Sequence, residues 1–133
     1  MIALVSLDHA RRSDRQRFLR VAHTLYRGDR YWVAPLDSEA HRTVGPENPF
    51  FQHARLQLWV VQCDGRDVGR IAAIIDSTHH EVQGERVAHF GFFECIDDAG
   101  VAQALFDAAT LWARAGGCDR LVGPMNPSIN DEC

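Results

Sequence analysis

Residues 86–123 read RVAHFGFFECIDDAGVAQALFDAATLWARAGGCDRLVG, and this stretch decides the fold. Arg86 to Cys95 has the aromatic and branched content of a strand, with Gly91 inside it as the expected site of a bulge or a close backbone approach. Asp97 or Asp98 can cap a following helix, because a short carboxylate accepts hydrogen bonds from amides that a first turn leaves unpaired. Val101, Leu105, Ala108, Trp112 and Ala115 then recur every four and three residues, the period of one helix face, and Gly116-Gly117 ends the run. Arg120 to Gly123 is a short strand reached through that helix, a connection that predicts a right-handed crossover to a parallel neighbour.

Upstream, Arg55 to Cys63 and Asp67 to Asp76 are apolar and branched and flank Asp64-Gly65, a strong hairpin signal. Ser77 to Glu85 is a polar connection carrying His79 and His80. At the start of the chain, Met1 to Leu7 reads as a first strand at or near the sheet edge. Ser13-Asp14-Arg15-Gln16 reads as a capping box for a helix whose core face is Phe18, Val21, Ala22, Leu25 and Tyr26, ending at Gly28. Tyr31 to Leu36 leads into a short helix from Pro35 to about Thr43, and Gly45 to Pro49 is a breaker-rich loop that Phe50 and Phe51 anchor to the core. The predicted order is β, α, α, β, β, β, α, β.

The 133 residues fit one domain, residues 1–133, able to bury roughly two-thirds of the surface of its unfolded chain. A 46% apolar and 24% charged composition is that of a globular protein and excludes a disordered chain. All 14 basic residues are arginine, which reads as codon bias, and Arg11, Arg12, Arg15, Arg17 and Arg20 read as a solvated helix face. The net charge of −4 argues against a nucleic-acid partner. Cys63, Cys95, Cys118 and Cys133 are scattered without metal-ligand spacing, so no metal is expected. No apolar run approaches the roughly 20 residues of a membrane span, and the expected location is the cytoplasm, with reduced thiols and no membrane partner.

Four segments carry a resemblance: Trp32-Val33-Ala34-Pro35-Leu36, Asn48 to Ala54 (NPFFQHA), Gly91-Phe92-Phe93-Glu94-Cys95, and Gly123 to Cys133 (GPMNPSINDEC). Together with the element order, they resemble the N-terminal part of a bacterial family of GNAT-like proteins, in the acyl-CoA N-acyltransferase superfamily. The resemblance implies an α+β or α/β fold with a mixed, mostly antiparallel sheet and helices on both faces. Because that family continues beyond the Asn-Asp-Glu-Cys segment, it also implies a domain lacking its C-terminal strands. The strand from Arg120 to Gly123 would then be an exposed edge through which a homodimer could pair.

The same resemblance implies acyl transfer from acetyl-CoA or another acyl-CoA to a small-molecule amine, across a cleft between the fourth and fifth strands. Glu94, at the end of the fourth strand, corresponds to the catalytic general base, while strict alternation along the strand would instead turn it to solvent. Cys95, Ile96, Asp97, Asp98 and Asn126 occupy the positions of acyl-CoA contacts, and Trp32, Phe50, Phe93 and Asn130 those of substrate contacts. In place of a glycine-rich phosphate signature stands Glu94-Cys95-Ile96-Asp97-Asp98-Ala99-Gly100, whose carboxylates would repel a pyrophosphate unless they point away. Asp97 and Asp98 also read as plain helix caps, Cys95 as an acyl acceptor or an inert buried thiol, and Asn126 and Asn130 as turn formers. The alternative function is a non-catalytic binding module on the same scaffold.

Overall fold

The computed structural model describes residues 2–25, 45, 54–76 and 87–123. Seven elements follow one another: β1 (Ile2–Leu7), α1 (Arg12–Leu25), β2 (Ala54–Cys63), β3 (Arg66–Asp76), β4 (Val87–Cys95), α2 (Ala99–Ala115) and β5 (Arg120–Val122). The strands form one sheet in the order β1-β2-β3-β4-β5. β1 through β4 pair antiparallel and β5 lies parallel to β4. The expected second helix, the loop residues 46–53, the connection 77–85 and the segment 124–133 lie outside the described residues.

The turn between β2 and β3 follows its sequence signal, since Asp64 and Gly65 both take positive φ, 52° and 83°. That is the twist-matched geometry a two-residue hairpin requires. The start of α1 does not follow its signal. Arg15 N–H already donates to the Arg11 carbonyl, so Ser13 sits inside the first turn rather than at its cap. The Asp14 carboxylate reaches back to the Asp8 amide at 2.8 Å and closes the entry to the helix instead.

Among the described residues, one helix packs on each face of the sheet. On one side Phe18 and Val21 of α1 pack with Leu7, Leu56, Leu58, Val60, Ala72 and Ile74. On the other, Val101, Leu105, Ala108 and Ala109 of α2 pack with Trp59, Val61, Ile71 and Ala73. Burying a side chain the size of Leu105 contributes about 2 kcal/mol. Ala115, expected on this inner face, is exposed, and Ala113 is buried near Ile75 and Cys118 instead. Among the five arginines read as a solvated face, Arg17 departs: its guanidinium grips Asp67 of β3 through two hydrogen bonds of 2.8 and 2.9 Å. This fork ties α1 to the hairpin, and the carboxylate raises the Arg17 pKa above its ordinary value.

Candidate functional site

β4 carries the site, and its backbone is irregular. The register with β3 runs Ile74 to His89, Ala73 to Phe90 and Ala72 to Gly91, then jumps to Arg70 opposite Glu94. Phe92 and Phe93 therefore share one position opposite Ile71, and Phe92 takes φ 53°. This is a β-bulge, an extra residue that shifts the alternation of every side chain after it. Sequence placed it at Gly91, but Gly91 keeps its ladder partner Ala72 and the next residue adopts the left-handed backbone.

The bulge changes which way the site faces. Phe90 packs against Phe106 of α2, Phe92 against Phe18 of α1, and Phe93 again against Phe106. Glu94 consequently joins Arg70 on the α1 face, where Arg70 Nη2 stands 3.6 Å from Glu94 Oε1. Uninterrupted alternation from Phe90 would have put Glu94 on the α2 face. Its side chain keeps 23% of its exposure, so it is neither turned fully to solvent nor sealed in the core.

Among the described residues, the outer edge of β4 is paired only at its start. β5 pairs only with Val87, Ala88 and His89. Gly123 then lies so close to the Phe90 carbonyl that an added Cβ would fall 2.5 Å from its oxygen. From Phe90 to Cys95 the outer edge of β4 has no β5 partner among the described residues. Half-buried Phe90, Phe92 and Phe93 lie along that open stretch.

At the junction with α2, the Ile96 amide still donates to Val68 of β3 at 3.0 Å. Asp98 is the helix cap. Its Oδ1 accepts from the amides of Gly100 at 2.8 Å and Val101 at 3.3 Å. Two of the groups that would hold a phosphate are thus taken by this chain's own carboxylate, with exposed Asp97 beside it. The donor set at this helix end does not fit a pyrophosphate.

Cys95 follows Glu94 but falls on the α2 face among Val101, Leu105 and Phe93. Burial pushes its thiol pKa up, and the negative charges of Asp98, Asp97 and Glu94 push it further, which disfavours the thiolate. Phe93 packs on the same side, away from Glu94. Trp32, Phe50, Asn126 and Asn130 lie outside the described residues. Among the described residues no three His, Cys, Asp or Glu side chains gather to hold a metal, and no helix is long and apolar enough to cross a membrane.

Sequence reasoning missed Arg70. It is the one buried charged side chain among the described residues, 6% exposed within the apolar run Ile71 to Ile75 of its strand. An arginine at the head of such a run was the available signal, because a charge is rarely buried unless something in the fold meets it.

No family model matches the sequence. A curated protein of Escherichia coli strain K12, YghO, is 37% identical over 121 residues, covering 91% of this chain and 31% of that protein. The bacterial ceramide synthase of Caulobacter vibrioides is 43% identical over 119 residues, covering 88% of this chain and 31% of that protein. The chain thus spans about a third of the length of these relatives. Among solved structures, the tandem GNAT protein of the clavulanic acid biosynthesis pathway superposes with a TM-score of 0.66 at 17% identity, covering 89% of this chain and 34% of that one. The aminoglycoside acetyltransferase AAC(6')-Iy, in complex with a bisubstrate analogue of CoA, superposes with a TM-score of 0.64 at 17% identity, covering 96% and 82%. These likenesses show the GNAT fold.

Proposed function

We propose that this GNAT-fold chain carries the transfer site of an N-acyltransferase that moves an acyl group from an acyl thioester, acyl-CoA being the donor class, to the amine of a long-chain amino alcohol. The observation that carries the reading is the open outer edge of β4, from Phe90 to Cys95, with the bulge at Phe92 and the Glu94 carboxylate at its end. The 43% identity to a ceramide synthase supports the acceptor class, because a ceramide is the amide of a long-chain amino alcohol.

In this reading the thioester lies along the β4 edge and main-chain amides at the bulge polarise its carbonyl. The amine nitrogen forms the C–N bond and its proton passes to a Glu94 oxygen. The C–S bond breaks, and the departing thiolate takes up that proton and leaves as the thiol, returning Glu94 to its carboxylate. Binding the amine as a neutral nucleophile beside a carboxylate also orients it. No step uses the diphosphate end of CoA, which the Asp98 cap leaves without those two amides.

That same cap favours the second reading, a non-catalytic module on a GNAT scaffold. The test is release of free thiol by the full chain from palmitoyl-CoA, with and without sphinganine. Release that depends on the amine supports acyl transfer, no release above the protein-free background supports the module, and amine-independent release contradicts both.

A further inference from the structure

We propose that Arg70 is the positioning residue of this site, holding the Glu94 carboxylate in place and coupling it to helix α1. The proposal rests on the reading of Glu94 as the base.

Two costly features converge on one carboxylate. The first is the guanidinium itself. Arg70 is 6% exposed in a strand whose following residues, Ile71 to Ile75, are all buried and apolar. Removing a charge from water costs several kcal/mol, and well-packed apolar side chains commonly replace a buried ion pair at no loss of stability. Packing alone therefore does not call for an arginine. The second is the left-handed backbone of Phe92, a bulky non-glycine residue at φ 53°. Such a backbone is strained and persists where the surroundings over-determine it. Its effect is the change of face that brings Glu94 opposite Arg70 rather than under α2.

The surroundings of Arg70 fix its direction. Its Nη1 donates to the Phe18 carbonyl of α1 at 3.2 Å. Its guanidinium carbon lies 5.0 Å from the centre of the Phe18 ring and 5.5 Å from that of Phe92. Planar, packed beside two rings that also touch each other and anchored by one arm, it turns its other arm, Nη2, toward Glu94 Oε1. Oε1 is the carboxylate oxygen that faces the guanidinium, at ion-pair rather than hydrogen-bond distance. Any displacement of α1 at Phe18 moves the guanidinium and with it the carboxylate.

The experiment compares the full chain with Arg70→Met, Arg70→Lys, Glu94→Gln and the Arg70→Met/Glu94→Gln double variant. Palmitoyl-CoA and sphinganine are the probes, and Tm is measured for each. Loss of positioning is expected to lower kcat of Arg70→Met by about tenfold or more while leaving KM for palmitoyl-CoA within about twofold. Added to Glu94→Gln, the same change is expected to cost nothing more, because the two residues act as a unit. Arg70→Lys, which keeps the charge but not the fork, is expected to fall between wild type and Arg70→Met. Should Arg70→Met not fold, Arg70→Lys at unchanged Tm carries the test, reduced kcat supporting the proposal and wild-type kcat overturning it. An inactive Glu94→Gln with a fully active Arg70→Met, or additive losses in the double variant, overturns the proposal and leaves the acyl-transfer reading standing. A fully active Glu94→Gln removes Glu94 as the base, and the positioning role falls with it.

Discussion

Phe90 and Phe92 lie two residues apart on β4 yet face opposite sides of the sheet, Phe90 edge-on to Phe106 of α2 with ring centroids 5.1 Å apart and Phe92 edge-on to Phe18 of α1 at 5.9 Å. Residues two apart on a regular strand share a face. The bulge between them reverses that relation, and Glu94 inherits the reversal.

The bulge makes a specific statement about residue 92. In an ordinary strand glycine is worse than alanine, but at φ 53° alanine is the strained residue. Phe92→Ala and Phe92→Gly both lose the contact with Phe18, and Phe92→Gly is expected to be the more stable of the two by about 1 kcal/mol. Denaturant unfolding of the two variants measures the difference. The opposite ranking would mean that the backbone at Phe92 is regular.

Much of the fold was legible in the sequence because its signals are local. Asp64-Gly65 marks a hairpin through backbone geometry that two adjacent residues decide between them. The four-three spacing of Val101, Leu105 and Ala108 marks α2, and the helix between β4 and β5 fixes their parallel pairing. Glu94 is a candidate only through the GNAT resemblance, and strict alternation along the strand gives it a different face from the one it takes. What could not be read depends on partners far along the chain. The apolar context of Arg70 gives no hint of Glu94, 24 positions away, and the bulge sits at Phe92 rather than at the more permissive Gly91 next to it. At α1 the capping signal at Ser13 lost to a carboxylate at Asp14 whose partner, Asp8, lies before the helix.

The Asp98 cap links stability to donor binding. Asp98→Ala is expected to cost about 1 kcal/mol, seen as a lower Tm, while Asp98→Asn retains most of the cap. Both changes remove a negative charge from the start of α2, and Asp98→Ala also frees the Gly100 and Val101 amides. Calorimetric titration with CoA is expected to show tighter binding by both variants than by wild type, with Asp98→Ala the tightest. Equal affinity in all three would place the diphosphate away from this helix end.

Gly123 sets where the two strands part. A methyl group there meets the Phe90 carbonyl oxygen at 2.5 Å and the Phe90 ring at 2.8 Å. Gly123→Ala is expected to destabilise the fold by about 1–3 kcal/mol, as overpacking does. Thermal unfolding checks this, and an unchanged Tm would mean that β5 can shift outward freely.

Cys95 gives a pH signature. Burial and then the Asp98, Asp97 and Glu94 charges favour its neutral thiol, so its folded pKa lies above that of the free group. A group raised in this way contributes stability that is complete below the unfolded thiol value of about 8.5 and is lost as pH rises through the folded value. Alkylation of Cys95 by iodoacetamide, followed by mass spectrometry of the modified peptide, is expected to run slower at pH 8 than that of an unstructured cysteine peptide. Asp98→Asn is expected to speed it. Reaction faster than the free peptide would instead mark Cys95 as an activated nucleophile and reopen the acyl-acceptor role.

The most direct test of the account compares amide formation from palmitoyl-CoA and sphinganine by the wild-type full chain and by Glu94→Gln, quantified by mass spectrometry with both proteins shown to have the same Tm. The account expects amide from the wild type and a fall of about 10²–10⁴-fold in initial rate for the variant. Equal rates in the two proteins would contradict it.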